Sequence, residues 1–222
     1  MGRGPRLVLL GRQGAGKGTQ AQLLADNYGV EHLSTGDLFR AAAAEGTSAG
    51  LEAKRFMDAG ELVPDATVIR VVEDRFTGDF LNRGFVLDGF PRTLPQAEEL
   101  DRVLDGHPLD LALDLEVPTE IVLRRIAGRR VCEKCGATYH VDMPPATEGV
   151  CDSCGGRVVQ RDDDTEEAVQ RRLELYEQET VPIIDFYCNL GKLSAVDGIG
   201  ETDDVFKRLV DQVEQHFDPQ SP

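Results

Sequence analysis

A glycine-rich segment with a lysine is the first stretch of the sequence that could do chemistry. Residues 11–19 read Gly-Arg-Gln-Gly-Ala-Gly-Lys-Gly-Thr and directly follow the apolar run Leu-Val-Leu-Leu. Gly11, Gly16 and Lys17 have the spacing of a phosphate-binding loop, in which backbone N–H groups surround phosphate oxygens and the lysine reaches the outer phosphates. Apolar residues recur at helical spacing over 19–28, so the positive end of a helix dipole would face the anion. The segment therefore predicts a nucleotide phosphate site.

A carboxylate that could serve the metal of a nucleotide follows a second apolar run. Residues 84–88 end in Asp88 and have the pattern of a buried parallel strand whose carboxyl end faces the phosphate site. Such an aspartate helps to hold Mg²⁺ in phosphate-loop enzymes, whereas a capping role is the structural alternative. Gly18 stands where a Ser or Thr hydroxyl usually binds Mg²⁺, and Thr19 lies one position further. We therefore expect an indirect magnesium role for Asp88, and the hydroxyl ligand stays open.

Isolated arginines complete the set of residues that could act on phosphates. They are Arg40, Arg92, Arg129, Arg161 and Arg172. The sequence has no Ser-His-Asp pattern, and its four histidines have no paired spacing that would indicate a catalytic base. Phosphoryl transfer to an acceptor that is already ionised needs positioning and charge stabilisation rather than a base, and the planar guanidinium suits both. The pattern indicates transfer from a nucleoside triphosphate to a phosphate-bearing acceptor.

Two cysteine pairs indicate a metal site. They are Cys132-x-x-Cys135 and Cys151-x-x-Cys154, and each pair is followed by a glycine that permits a tight turn. Four thiolates fill a tetrahedron, so the spacing predicts a structural Zn²⁺ site. Two disulfides are the alternative, which a reducing compartment disfavours. The fifth cysteine, Cys188, lies in a helical pattern and is expected to be buried packing.

Strands alternate with helices along the chain, and this alternation predicts a parallel sheet covered on both faces. The predicted strands are 7–10, a short one near 32, 84–88, 109–117 and 193–197. The predicted helices are 19–28, 38–45, 51–59, 65–76, 95–103, 119–129, 166–189 with a bend at Pro182, and 203–217. The helices between 38 and 76 indicate a helical insert, and the Gly-, Pro- and Cys-rich residues 131–160 indicate a second, smaller one.

The composition limits the partners and the compartment. The chain has 222 residues, with 24 basic against 40 acidic side chains and a formal charge of −16. Such a charge argues against a nucleic-acid partner and suggests the hypothesis of a surface adapted to high salt. The sequence shows no apolar run long enough to span a membrane and no signal-peptide or myristoylation pattern, so we expect a cytoplasmic protein without a membrane partner.

Together these motifs resemble the adenylate kinases, in the long form with a zinc-bearing lid. The matching segments are Gly-x-x-Gly-Ala-Gly-Lys-Gly-Thr, Ser34-Thr35-Gly36-Asp37, Asp88-Gly89-Phe90-Pro91-Arg92-Thr93 with Gln96, Gly128-Arg129-Arg130, and Arg161-x-Asp163-Asp164. The resemblance implies a monomer that reversibly transfers a phosphoryl group from Mg-ATP to AMP, giving two ADP, with lid closure. It also implies an α/β fold of the P-loop, three-layer type. Its core would be 1–33, 64–130 and 164–222, its helical AMP-binding insert 34–63, and its zinc-ribbon-like lid 131–163.

The resemblance also assigns roles to single residues. The implied catalytic residues are Lys17, Arg92, Arg129, Arg161 and Arg172. The implied ATP contacts are Gly14, Ala15, Gly16, Lys17, Gly18, Thr19, Arg129, Thr138, Tyr139 and Gly200. The implied AMP contacts are Thr35, Arg40, Glu61, Leu62, Val63, Gly89, Phe90, Pro91, Arg92, Gln96, Arg161 and Arg172. Asp163 and Asp164 would anchor the lid hinge, and the Gln96 carboxamide would pair with the adenine edge.

One departure from the family pattern concerns the phosphate loop. Gln13 stands where a proline is usual, so we expect a slightly less rigid loop with no ligand lost. Two other functions stay open from the sequence. The first is a nucleoside-monophosphate kinase with another donor or acceptor, for example GTP and AMP. The second is a non-catalytic zinc module switched by a nucleotide, which the lack of a basic or aromatic surface disfavours.

Overall fold

The computed structural model describes residues 3–76 and 78–218. The strands in this part of the chain are β1 (Arg6–Leu10), β2 (Glu31–Ser34), β3 (Phe85–Asp88), β4 (Leu111–Glu116), β5 (Arg129–Cys132), β6 (Thr138–His140), β7 (Val158–Val159) and β8 (Leu193–Asp197). The α-helices are α1 (Lys17–Tyr28), α2 (Thr35–Ala44), α3 (Ser48–Asp58), α4 (Asp65–Glu73), α5 (Gly78–Arg83), α6 (Leu94–Val103), α7 (Thr119–Gly128), α8 (Glu166–Leu175), α9 (Val181–Asn189) and α10 (Thr202–Phe217). The outer ends of the expected core segments 1–33 and 164–222 lie outside the described residues.

A parallel sheet forms the centre of the molecule. Its strands, within the described residues, lie in the order β2-β3-β1-β4-β8, and each neighbouring pair is parallel. The strand order changes direction at β1, with β2 and β3 on one side and β4 and β8 on the other. Ligands of open α/β sheets bind at the carboxyl ends of the strands near such a point. The predicted α/β class with a parallel sheet flanked by helices is therefore confirmed.

The strand that leads into the phosphate loop is buried on both faces. Val8 and Leu10 belong to one hydrophobic cluster, while Leu7 and Leu9 belong to another on the opposite face. Burying one such side chain stabilises the fold by about 1.5–3 kcal/mol. This burial explains the continuous apolar run in the sequence, and it holds the start of the loop in a rigid frame.

The two helices after β2 begin earlier than the sequence pattern predicted. The helix predicted at 38–45 begins at Thr35, because the Ser34 hydroxyl accepts the N–H of Asp37 at 3.3 Å. The helix predicted at 51–59 begins at Ser48, capped by a neighbouring threonine hydroxyl. Side chains that could each cap a helix stand close together before both starts, so the apolar period located the helices but not their first residues.

The long helix predicted at 166–189 is interrupted before its proline. A five-residue π-helical turn, Tyr176–Thr180, separates α8 from α9. Pro182 lies in the first turn of α9, directly after the π-helical turn, where its missing N–H is tolerated. The single helix predicted over 166–189 is therefore divided, and the bend expected at Pro182 stays a prediction. No helix in the described ranges is both long enough and apolar enough to cross a membrane.

The cysteine-rich segment (residues 129–160) forms a small sheet of its own. Its strands β6, β5 and β7 are antiparallel, and β5 lies between the other two. The segment connects α7 to the chain that enters α8, so it is inserted between elements of the central layer structure. Arg129, expected at the end of a helix, is the first residue of β5.

Candidate active site

Three glycines give the loop between β1 and α1 its shape. Gly11, Gly14 and Gly16 have φ of 130°, 81° and 103°, which L side chains rarely adopt. A Cβ at Gly11 would lie 2.7 Å from the carbonyl oxygen of Leu115, and one at Gly14 would lie 2.7 Å from Ile126 Cγ1. Gly11 and Gly14 therefore pack too closely on their neighbours to be replaced by larger residues. One loop N–H, that of Ala15, donates to the Arg12 carbonyl at 3.1 Å, and a loop of this shape can turn its other N–H groups toward an anion.

Lys17 occupies the position that the loop motif predicts. Its Nζ donates hydrogen bonds to the carbonyl oxygens of Gly11 at 2.6 Å and Arg12 at 2.9 Å. The surrounding protein displaces water from the ammonium group and lowers its pKa to about 8, although Asp88 acts in the opposite direction. The lysine is thus held inside the loop, where phosphate oxygens could replace the two carbonyl groups.

Asp88 lies beside the phosphate loop. It ends β3, and its backbone is paired in register with Leu9 of the neighbouring β1. A Cβ at Gly18 would lie 3.4 Å from Asp88 Oδ2, so the carboxylate is next to the first turn of α1. Thr19, on the same turn, is exposed. The carboxylate therefore lies beside the loop that the sequence predicts to bind phosphate.

Two of the predicted arginines meet at one carboxylate. Arg161 Nε donates to Asp163 Oδ1 at 3.1 Å, and Arg172 donates to Asp163 Oδ2 at 2.7 Å. Burial acts to raise the pKa of Asp163, but the two cations outweigh burial and hold this pKa well below its usual range. Arg172 also donates to the carbonyl oxygen of Met57 in α3 at 2.5 Å. Asp163 therefore orients both guanidinium groups, and one of them reaches the helical insert.

Arg92 and Arg40 lie within electrostatic range of the same cluster. Loss of surrounding water lowers the pKa of Arg92, and the charges of Arg172, Arg40 and Arg161 lower it further. Arg40 pairs with Asp37 at 2.5 Å. Four cations thus lie within electrostatic range of one another, an arrangement that phosphate oxygens would stabilise.

The side chains predicted on the acceptor side are organised around Gly89. Thr35 Oγ1 and Arg92 Nε both donate to the Gly89 carbonyl, at 2.8 and 2.9 Å. Gln96 is buried, and its Oε1 accepts the Arg92 N–H at 2.8 Å while its Nε2 donates to Asp65 at 2.7 Å. The carboxamide keeps one donor and one lone pair, which leaves it some capacity for an adenine edge.

The remaining predicted acceptor residues lie in two short connections. Glu61 pairs with Arg171 of α8 at 2.7 Å, and Val63 is buried in the core, with Leu62 between them. Phe90 and Pro91 are buried and are joined by a cis peptide bond.

Comparison with known proteins shows the family. A sequence model described as adenylate kinase matches residues 9–192. The chain belongs to the adenylate kinase family. Proteins named adenylate kinase from Thermodesulfovibrio yellowstonii and Carboxydothermus hydrogenoformans are 51% and 50% identical over 207 residues, which cover 92% of this chain and 96% and 97% of those relatives. One from Clostridium novyi is 48% identical over 212 residues, 94% of this chain and 98% of its own.

The four cysteines of this adenylate kinase family member form a compact cluster. Their sulfur atoms lie within 4.8 Å of one another, with 3.5 Å between those of Cys132 and Cys154 and 3.6 Å between those of Cys135 and Cys151. Sulfurs bound to one tetrahedral Zn²⁺ at about 2.3 Å would be about 3.8 Å apart, whereas a disulfide needs about 2.05 Å. A Cβ at Gly156 would lie 2.8 Å from Cys132 Sγ. The four sulfurs could therefore hold one metal ion, and no disulfide links them.

The two other residues expected in the lid, and Gly200, have distinct surroundings. Thr138 is exposed on β6, whereas the hydroxyl of Tyr139 is hydrogen-bonded to the turn of the second cysteine pair. Gly200 is exposed with φ of 119°, and Arg208 donates to the carbonyl oxygens of Asp197 and Ile199 around it.

Gln13, the departure from the adenylate kinase pattern, is linked through Asp164 to Arg129, the first residue of the cysteine-rich segment. Its Nε2 donates to Asp164 Oδ1 at 3.3 Å, and Asp164 also accepts two hydrogen bonds from Arg129. Gln13 Oε1 is buried without a hydrogen-bond partner among the described residues. A hydrogen bond to Asp164 therefore restrains the loop where the family usually has a proline ring.

Sequence reasoning missed the π-helical turn, which contacts both the phosphate loop and the loop after β3. Arg12 of the phosphate loop lies 5.3 Å above the Tyr176 ring and pairs with Glu177 at 2.5 Å. Thr180 Oγ1 donates to the Arg92 carbonyl at 2.9 Å. These contacts join residues far apart in the chain, and no local pattern indicates them.

The expectation for Cys188 is wrong. The residue is exposed, whereas Ile183 and Tyr187 of the same helix are buried. Cys188 lies on the solvent side of α9, next to the helix end, where the apolar period no longer determines burial.

Proposed function

We propose that this protein catalyses the reversible transfer of the γ-phosphoryl group of ATP to AMP, which yields two ADP. The observation that carries the proposal is the convergence of cations from separate segments on one cleft: Lys17 from the loop, Arg92 after β3, and Arg161 with Arg172 near α8. Membership of the adenylate kinase family supports the same activity.

The reaction needs charge stabilisation and no protein base. A phosphate oxygen of AMP, already ionised at neutral pH, forms the new P–O bond while the bond from the γ-phosphorus to the β-bridging oxygen breaks, and ADP leaves. Lys17, Arg92, Arg129, Arg161 and Arg172 would stabilise the charge on the transferred group. Closure of the cysteine-rich segment would exclude water, which otherwise accepts the phosphoryl group.

On the donor side we propose that the loop N–H groups of residues 14–19 hold the ATP phosphates. Arg129, Thr138, Tyr139 and the Gly200 backbone complete this side. Mg²⁺ bound to ATP would neutralise phosphate charge, and Asp88 lies where it could hold that ion through water.

On the acceptor side we propose that AMP lies between the helical insert and the loop after β3. Thr35, Gln96 and the backbone of residues 61–63 would contact the nucleoside. Residues 89–92 would line the same AMP pocket. Arg40, Arg92, Arg161 and Arg172 would bind its phosphate.

We further propose that the four cysteines hold a structural Zn²⁺, because four sulfurs leave no open position for water. We propose a division into a core, the insert 34–63 and the lid 131–163. It follows the positions of the helical insert and of the cysteine-rich segment. Four thiols kept for a metal fit a reducing, cytoplasmic setting. The charge of −16 supports the absence of a nucleic-acid partner, and a monomer is part of the same proposal.

Product analysis tests the activity. Purified protein is incubated with Mg-ATP or Mg-GTP and, separately, AMP, CMP, UMP, GMP or no acceptor, and the nucleotides are separated. We expect ADP to form only when ATP and AMP are both supplied. When ADP is the only substrate, we expect ATP and AMP as the products.

Other product patterns would redirect the proposal. Transfer from GTP, or to another monophosphate, would assign a different nucleoside-monophosphate kinase. Hydrolysis that does not depend on the acceptor, or no turnover at all, would favour the nucleotide-switched module.

A further inference from the structure

The hydroxyl of Tyr139 is engaged by the turn that carries the second cysteine pair. It accepts the backbone N–H of Asp152 at 2.9 Å and lies 3.3 Å from Cys151 Sγ. A phenol has one proton to donate. Because the oxygen receives the Asp152 N–H, its own proton is available for the sulfur. The hydroxyl is therefore satisfied as both acceptor and donor by one turn.

The strand that carries Tyr139 also positions the proposed ATP arginine. In the β5–β6 pair, Arg129 lies opposite His140 and Arg130 lies opposite Tyr139. β5 begins with Arg129 and ends with Cys132, so the first cysteine pair is joined to this strand pair through the chain itself. The second cysteine pair lies before β7, whose Val158 is opposite Cys132 of β5. Its chain connection to β6 runs through residues 141–150, so the Tyr139 hydroxyl adds a direct contact between β6 and the second cysteine turn.

We propose that Tyr139 is a positioning residue of the metal site: its hydroxyl donates to the metal-bound thiolate of Cys151 and ties the second cysteine turn to the strand pair that carries Arg129. This role differs from the nucleotide contact that family resemblance implies for Tyr139. Partners that hydrogen-bond to metal ligands orient them, and losing one such partner lowers metal affinity by about 10–100-fold. The inference rests on the proposed zinc site and not on the phosphoryl-transfer reaction.

The test compares two tyrosine-to-phenylalanine variants of the full chain. Tyr139→Phe removes the hydroxyl and keeps the ring. Tyr187→Phe is the matched control, because it makes the same change at a hydroxyl that has no hydrogen-bond partner among the described residues. Zinc affinity and release are measured by competition with a chromophoric chelator, and the sulfur-to-metal charge-transfer band is recorded after Co²⁺ substitution. No nucleotide is present, so the result is independent of enzymatic activity.

We expect Tyr139→Phe to weaken zinc binding by about 10–100-fold and to shift the Co²⁺ charge-transfer band, with Tyr187→Phe unchanged in both. A Tyr139→Phe variant that holds zinc and absorbs as the unsubstituted protein does would overturn the proposal. So would equal weakening in both variants, because that result would indicate a general loss of packing. Circular dichroism of the zinc-loaded variants checks that both are folded, and Tyr139→Trp provides a second ring without the hydroxyl if Tyr139→Phe does not fold.

Discussion

The phosphate loop and the cysteine-rich segment are both built on tight glycine turns, but they are held in place by different forces. The loop follows a strand whose five residues are all buried. The cysteine-rich segment buries Cys132 and Cys151, while Val141, Met143 and Val150 remain exposed. A buried aliphatic side chain contributes about 1.5–3 kcal/mol, whereas a structural zinc in a small peptide contributes about 10–16 kcal/mol. A bound metal ion could therefore supply as much folding free energy as several buried side chains, in a segment that buries few of them.

Stability and chemistry are therefore supplied by different parts of this molecule. The central sheet supplies a rigid frame for the phosphate loop. Among the described residues, none of 129–160 belongs to the two hydrophobic clusters of that frame, so the proposed metal would hold this segment together as a separate unit. Changes at the cleft should therefore affect turnover, whereas changes at the cysteines should affect the segment first.

The largest effect is expected at the cleft. Arg92→Ala should lower kcat by roughly 10³-fold or more, because it removes a cation that would stabilise the transferred phosphoryl group. Arg102→Ala is the control, since Arg102 is exposed and pairs with Glu99 and Glu73. Steady-state kinetics measure both, with thermal unfolding to check stability. Near-normal turnover of Arg92→Ala would remove Arg92 from the catalytic residues.

Removal of the metal should act on the other region. Cys135→Ser, or a chelator, should loosen residues 129–160 before the central sheet, because the segment lacks an apolar core. Hydrogen exchange followed by mass spectrometry resolves the two regions. Cys188→Ser is the matched control, as this cysteine is exposed and lies outside the cluster. Full thermal stability after verified metal loss would contradict the comparison.

A pH profile sharpens the description of the loop. The pKa of Lys17 is lowered to about 8 by its surroundings, so the ammonium group loses its proton as pH rises through that value. We expect kcat/KM for ATP to fall roughly tenfold for one pH unit above 8, because kcat/KM reports the free enzyme. In Lys17→Arg the cation persists, so this decline should disappear whatever the absolute rate. An unchanged decline in that variant would assign it to another group.

Salt should have the smallest and least local effect. With a formal charge of −16, the folded chain repels itself, and KCl should raise the midpoint of thermal unfolding by several degrees as it screens these charges. Sucrose serves as the uncharged control. The hypothesis of a high-salt surface fails if the midpoint does not rise between low and molar KCl.

A feature could be predicted from the sequence when the residues that form it are close together in the chain. The strand-loop-helix order around Lys17 and the pairs of cysteines are short patterns, and both lie where the sequence predicted them. The hydrogen bond from Gln13 to Asp164 joins residues 151 positions apart, so no local pattern indicates it. The partner of Gln96 was missed for the same reason, because Asp65 is only the first residue of a predicted helix until the fold brings the two together.

The π-helical turn changes the direction in which the side chains after it point. An α-helix advances about 100° per residue, so the extra residue of a π-turn rotates every later side chain by about that angle. With this rotation, Thr180 reaches the Arg92 carbonyl, and Ile183 and Tyr187 are directed into the core. Deletion of one residue within 176–180 would restore a regular helix and turn all three away from their partners. A length change at this point would therefore be felt at the catalytic cleft and in the core together.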